Sequence, residues 1–134
     1  MKNTRKFLCL VLALIVFLSL ALPAMASELH PAYVSCSGTT RQSGSLLVST
    51  ARIGRNPDNA LLRITQELQS GDYKYHPKSS ESAPGVVSYT WSPAISHLVD
   101  YPPNFAFICY EVYGGNKFTA HAWYGSCPIN SSII

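Results

Sequence analysis

CYEVYGGNKFTAHAWYGSC, residues 109–127, holds two cysteines, a carboxylate, an imidazole and several aromatic rings around a Gly-Gly-Asn step. As chemistry it offers a nucleophile, a base and an orienting acid. As architecture it alternates on both sides of a turn, as a β-hairpin does. Directly opposed residues of a ladder share a face, so the register decides which groups meet.

A three-residue loop at Gly114-Gly115-Asn116 sets Tyr113 opposite Lys117. One face then carries Ala106, Ile108, Tyr110 and Val112 against Tyr124, Ala122, Ala120 and Phe118, apolar throughout. The other carries Phe105, Phe107, Cys109, Glu111 and Tyr113 against Gly125, Trp123, His121, Thr119 and Lys117. A two-residue Gly-Gly loop would instead set Lys117, Thr119 and His121 against the apolar row. Patterning therefore favours the three-residue loop, and Asn116 tolerates the left-handed conformation such loops need at their last position.

This register predicts Cys109 opposite His121, with Cβ atoms about 5 Å apart, and Glu111 next along the same face. It carries Cys127 past the strand end, near 20 Å from Cys109 at about 3.3 Å per residue. Disulfide geometry needs Cα atoms within about 7 Å, so these two cysteines do not bridge. Cys36 then pairs with Cys127 or, alternatively, with Cys109. The first pairing is preferred; it ties the first strand to the C-terminal tail and adds about 3–5 kcal/mol in the chain-entropy model. Three sulfurs leave one thiol over, which leaves a disulfide-linked dimer open.

Outward from the hairpin, the chain reads as short strands broken by turn chemistry. HPAYVSCSG (30–38) is a candidate first strand followed by polar TTRQSG, and SLLVSTARIG (45–54) is a second. Asn56-Pro57-Asp58-Asn59 is a turn with proline at its second position. ALLRITQELQSG (60–71) fits either a helix, with Leu61, Ile64 and Leu68 on one face, or a strand, with Leu62, Ile64 and Leu68 turned one way. The strand is favoured because every neighbour is a strand, although Gln66 interrupts its inner row. Tyr73–His76 is a short strand leading into a Ser/Pro-rich loop, and VVSYTWSP (86–93) is another strand. Pro102-Pro103 restrains the entry to the hairpin. The fold class expected is all-β: a single small antiparallel β-sandwich of about six or seven strands ending in a β-hairpin.

The strand LLRITQELQ followed by SGDY, the mid-chain SYTWS strand and the hairpin FAFICYEVYGG/KFTAHAWYGS resemble small exported bacterial β-sandwich proteins of immunoglobulin-like or fibronectin-like architecture. The resemblance covers most of residues 27–134. It implies the sandwich and no particular activity.

The N-terminus reads as an export signal. MKNTRK is basic, FLCLVLALIVFLSLAL is apolar, and Ala24 and Ala26 form an A-x-A cleavage site. Residues 1–26 are therefore expected to be a signal peptide, leaving 27–134 as the secreted domain. The formal charge of the whole chain is +3, but Lys2, Arg5 and Lys6 lie in this segment. The remaining residues balance, which argues against nucleic acid and against stable membrane insertion after cleavage.

A thiol beside an imidazole is the minimum for a cysteine nucleophile, so Cys109, His121 and Glu111 are the catalytic candidates. A mid-strand cysteine beside Phe107 and Trp123 leaves little room for substrate, and no oxyanion donor is evident. The expectation is no catalytic residue, no metal and no cofactor. Cys109 and His121 would supply only two of the four ligands a structural zinc takes, and His30, His76, His97 and Cys36 lie at no motif spacing. Trp91, Tyr113 and Trp123 are the binding candidates, since amphipathic rings hold sugars or partner proteins. The function expected is a non-enzymatic exported sandwich acting by surface contact on an extracellular protein or carbohydrate. The alternatives are a small secreted antagonist or bacteriocin-like toxin, and a cysteine–histidine hydrolase.

Overall fold

In the computed structural model, residue 33 and residues 35–96, 101–114 and 119–134 are described. Residues 1–26, expected to be a signal peptide, with His30, His97 and the loop residues Gly115, Asn116 and Lys117, lie outside them. Eight strands follow in order: β1 Cys36–Ser43, β2 Leu46–Ile53, β3 Leu61–Ser70, β4 Tyr73–Lys74, β5 Lys78–Glu81, β6 Ser88–Trp91, β7 Phe105–Tyr113 and β8 Thr119–Pro128. They form two antiparallel sheets. One is ordered β1-β2-β6; the other runs β4-β3-β7-β8, with β5 also paired to β3. The protein is a small all-β sandwich, as its patterning predicts. Among the described residues no helix is long and apolar enough to cross a membrane.

The segment readable as helix or strand is β3. Its alternation turns Leu62, Ile64 and Gln66 inward and leaves Arg63, Thr65 and Glu67 half-buried on the other face. The turn before it is built by Asn56. Its amide donates to the carbonyls of Ala60 and Val86, its Oδ1 accepts from Ala60 N, and Asn59 takes φ 54°.

Two strands lie where turn chemistry was expected. β1 runs from Cys36 through TTRQS to Ser43, while most of the expected strand before Cys36 lies outside the described residues. Its inward positions are Cys36, Gly38, Thr40 and Gln42, aligned with Ile53, Ala51, Ser49 and Leu47 of β2. A row of such small and polar groups carries no apolar alternation to read. β5 lies within the Ser/Pro-rich loop and pairs with β3 through Thr65 and Ser79, whose hydroxyls bond at 2.8 Å.

Between the sheets lie Leu47, Ala51 and Ile53 of β2, Leu62 and Ile64 of β3, Ala106, Ile108, Tyr110 and Val112 of β7, and Ile95. A hydrogen-bonded chain crosses this core. Gln66 Nε2 donates to Ser49 Oγ at 2.8 Å, Thr40 Oγ1 donates to Ser49 Oγ at 2.9 Å, and Thr40 also bonds the Tyr110 hydroxyl. Pairing makes a buried amide and hydroxyls tolerable, because an unpaired one would carry its whole desolvation cost. The chain also links β3 and β7 to β2 and β1, sheet to sheet.

Tyr110 fills the space beneath β1. Its ring stacks on Trp123 at 5.5 Å and lies against Gly38 and Gly125, where a Cβ would approach ring atoms to 2.5 Å and 3.3 Å. A two-way amide contact closes the same side: Gln42 Nε2 donates to Asn130 O, and Asn130 N donates to Gln42 Oε1.

Candidate functional site

The hairpin register differs from the expected one by three residues. Cys109 opposes Tyr124, and His121 opposes Val112. The ladder is regular from Phe105↔Pro128 to Val112↔His121, then shifts at Tyr113↔Thr119. An odd shift turns every β8 side chain to the opposite face. The inner row of β8 is thus His121, Trp123, Gly125 and Cys127, not Ala120, Ala122 and Tyr124. Both rows of this strand contain apolar residues, so alternation alone does not choose between them. Volume does. Gly125 and Trp123 flank the Tyr110 ring, whereas Tyr124 there would collide with it.

The Cys109–His121 pair is therefore not assembled. Cys109 lies on the outer face of the five-stranded sheet between Thr65 and Tyr124. His121 lies on the inner row, stacked on Trp123 at 5.7 Å. Burial, then the Glu111 carboxylate, pushes the Cys109 thiol up to about 11, Arg63 opposing in part. It is a neutral thiol near pH 7, the reverse of an activated nucleophile. Glu111 is engaged elsewhere: Arg63 Nη2 donates to both its oxygens at 2.7 and 2.8 Å, and Thr119 Oγ1 donates at 2.9 Å. Among the described residues no group of three or more His, Cys, Asp or Glu could hold a metal.

Cys36, Cys109 and Cys127 are all free, so neither expected disulfide is formed. Gln42 sits at Asn130, while Gly38 and Thr40 sit over Tyr110 near Gly125. Cys36 and Cys127 are thus about four residues out of step, on the order of 13 Å at ~3.3 Å per residue. Cys109 faces away from the three-stranded sheet that carries Cys36. The Cys36 thiol donates to Tyr33 O, and the Cys127 thiol to Pro128 O.

The three aromatic candidates do not share a surface. Trp91 lies on β6 opposite inward-facing Ser49, at one side of the sandwich. Trp123 packs at the other side against Tyr110, its indole N–H buried with no hydrogen-bond partner among the described residues. Only Tyr113 faces outward, with the Arg63 guanidinium 4.1 Å from its ring centroid.

The surface that does converge is the outer face of the five-stranded sheet. Across β3 and β7 its rows are Leu61–Tyr113, Arg63–Glu111, Thr65–Cys109, Glu67–Phe107 and Gln69–Phe105. Phe105 and Phe107 meet edge to face at 5.0 Å. Phe107 is 49 % exposed and Tyr124, on β8, 77 %. They border a shallow apolar groove of about 240 Å³ with Pro77, Thr65, Glu67 and Cys109 in its lining. At the opposite end of the face, Arg63 and Tyr113 form a wall of a cleft of about 570 Å³ that also receives Asp58 and Glu81. The expected register already placed Phe105, Phe107 and Tyr113 on this face; the observed one exchanges Trp123 for Tyr124 beside them.

A third, smaller cleft of about 200 Å³ opens between the sheets, lined by Leu47, Leu68, Ile95 and Gln66, with Tyr75 and His76 also in its wall.

No family model matches the sequence, and no curated protein matches it. Several solved structures share parts of the chain trace. A family 76 glycoside hydrolase from a bovine Bacteroides thetaiotaomicron strain is 6 % identical, with a TM-score of 0.46 over 69 % of this chain and 19 % of that one. The E. coli curli protein CsgC is 11 % identical, with a TM-score of 0.39 over 69 % of this chain and 95 % of that one. OgpA from Akkermansia muciniphila, in complex with an O-glycopeptide substrate, is 9 % identical, with a TM-score of 0.45 over 67 % and 28 %. The chain spans about a fifth of the glycoside hydrolase. Such likenesses carry no functional reading.

Proposed function

We propose that the protein is a secreted, non-catalytic β-sandwich that binds an extracellular protein or carbohydrate through the outer face of its five-stranded sheet. The observation that carries this reading is the pairing of Phe107 and the largely exposed Tyr124 around one apolar groove, with Phe105 packed edge to face on Phe107. Rings held rigidly on strands lose little conformational entropy on contact, and their faces suit both sugar rings and apolar side chains. Polar groups stand at the rim: Thr65, Glu67 and Ser126 flank the aromatic row. Such a rim orients a ligand that the rings hold.

The test is native electrophoresis in gels cast with soluble polysaccharides, with sedimentation onto intact producing cells as the second arm. Wild type should be retarded or sedimented, and the Phe107→Ser/Tyr124→Ser variant should not, at unchanged secondary structure. Equal retention of both proteins would refute this face. A hydrolytic activity that disappears in Cys109→Ser would overturn the non-catalytic reading.

A further inference from the structure

Among the described residues, the long edge strand β8 is open along its middle. On β3 the carbonyls of Leu62 and Leu68 accept from Ser82 N and Tyr75 N on the β4–β5 side. In an antiparallel ladder both backbone groups of a residue point the same way, and the direction alternates along the strand. Odd-numbered residues of β3 therefore bond β7, odd residues of β7 bond β3, and even residues of β7 bond β8. Ile129 N donating to Asn104 O fits this parity. His121, Trp123, Gly125 and Cys127 thus bond β7, while Ala122, Tyr124 and Ser126 direct N–H and C=O away from it. Among the described residues no strand pairs with that edge.

Edges are ordinarily guarded by charge, proline, shortness or a bulge. The β4–β5 edge carries Lys74, Pro77, Lys78 and Glu81; β6 has four residues with Pro93 close behind; β1 carries Arg41. The guards of β8 stand only at its ends. The irregularity at Val112/Tyr113 marks one end, and Pro128, whose missing N–H falls on the free side, marks the other. Between them the strand has no Lys, Arg, Asp or Glu.

We propose that the protein self-associates as a two-fold dimer, β8 pairing antiparallel with β8 of a second copy about an axis at Tyr124. The ends select this register. It sets Ala122 against Ser126 of the other copy and Tyr124 against Tyr124, so all outward groups of the regular stretch bond, about six hydrogen bonds in total. Shifting the axis by one residue pair brings Pro128 or the bulged Ala120 into the ladder and loses bonds. The two Tyr124 Cα atoms would lie about 5.5 Å apart, and their rings, 77 % exposed in one copy, would pack as a cross-strand aromatic pair. An uncharged strand meets its own copy without like-charge repulsion. The dimer joins both five-stranded sheets into one and sets the two aromatic outer faces side by side. It goes beyond the contact reading and does not rest on it.

The test is sedimentation equilibrium of the exported protein with excess reductant, which removes any disulfide-linked species, together with amide hydrogen exchange. A reversible monomer–dimer equilibrium is expected. Amides of Ala122, Tyr124 and Ser126 should gain protection as concentration rises, while His121, Trp123 and Gly125 stay protected throughout. Tyr124→Lys should abolish the dimer by placing two ammonium groups at the axis. Tyr124→Phe, and Thr39→Lys on the β1 edge, should retain it. A protein that stays monomeric into the millimolar range overturns the proposal. So does a dimer in which the three even-numbered amides exchange as fast as in dilute solution, since it must form elsewhere.

Discussion

Gly38→Ala pits two effects of opposite sign against each other at one position. Gly38 sits in β1 with no positive φ, so its backbone suits any residue. On that ground alone alanine should stabilise by about 0.4–1 kcal/mol, by restricting the unfolded chain. The packing says otherwise. A Cβ built at Gly38 lies 2.5, 2.7 and 2.8 Å from Cε2, Cζ and Cδ2 of Tyr110. These are ring atoms, and the ring is pinned by the Thr40 bond, the Trp123 stack and the backbone of Gly125 behind it. Overpacking of this kind costs about 1–3 kcal/mol. The net expectation is a loss of about 1–2 kcal/mol, or roughly 5–10 °C in Tm for a domain of this size. Thermal unfolding followed by circular dichroism, with urea titration alongside, measures it. The cycle with Tyr110→Leu isolates the cause: in the smaller background the alanine should cost nothing or stabilise. A Gly38→Ala protein whose Tm is unchanged or raised would refute the wedge.

Arg63→Ala should cost about 2 kcal/mol, because it leaves the mostly buried Glu111 carboxylate with Thr119 as its remaining partner; Arg63→Lys should recover only part, lacking the fork and the stack on Tyr113. Gln66→Leu should cost about 1–3 kcal/mol by stripping Ser49 and the Leu47 carbonyl of a buried donor, and adding Ser49→Ala should return some of it, as urea unfolding would show. The raised Cys109 pKa, about 11 against 9.0, predicts alkylation of the native thiol roughly 100-fold slower than in denatured protein near pH 8; equal rates would refute it. The folded state binds this proton more tightly, so the stability it contributes is fully present below pH 9 and is lost as pH rises toward 11. That decline should be shallower in Cys109→Ala.

Much of the fold was legible because its signals are local. The Asn56-Pro57-Asp58-Asn59 turn and the alternation of Leu62, Ile64 and Gln66 each depend on a few neighbouring residues, and each is realised. Gln66 looked like a flaw in the inner row, yet it is buried and bonded across the core. Its partners, Ser49 and Thr40, come from other strands, so nothing adjacent in the chain announced them. β1 and β5 were illegible for a related reason. Edge strands made of small and polar residues bury little, and pairing with a neighbour holds them rather than an apolar face of their own.

The hairpin register is where a local signal misled, and its consequence is large. A three-residue loop at Gly114-Gly115-Asn116 made Ala120, Ala122 and Tyr124 the apparent inner row, whereas the strand continues to Pro128 and adds Cys127 to the opposite row, with Ile129 buried just beyond. With those residues counted, the inner row becomes Trp123, Gly125, Cys127 and Ile129, and the glycine falls where the Tyr110 ring needs space. The same three-residue shift separates Cys109 from His121 and turns Tyr124 out to solvent. The cysteine–histidine alternative loses its pair, and a face of exposed rings beside a strand edge without Lys, Arg, Asp or Glu takes its place. If the register were the expected one, Tyr124→Lys would bury an ammonium in the core and unfold the protein. In the observed register, at concentrations dilute enough for both proteins to be monomeric, it should leave unfolding stability within about 0.5 kcal/mol of wild type, so that single variant discriminates the two ladders before any partner is known.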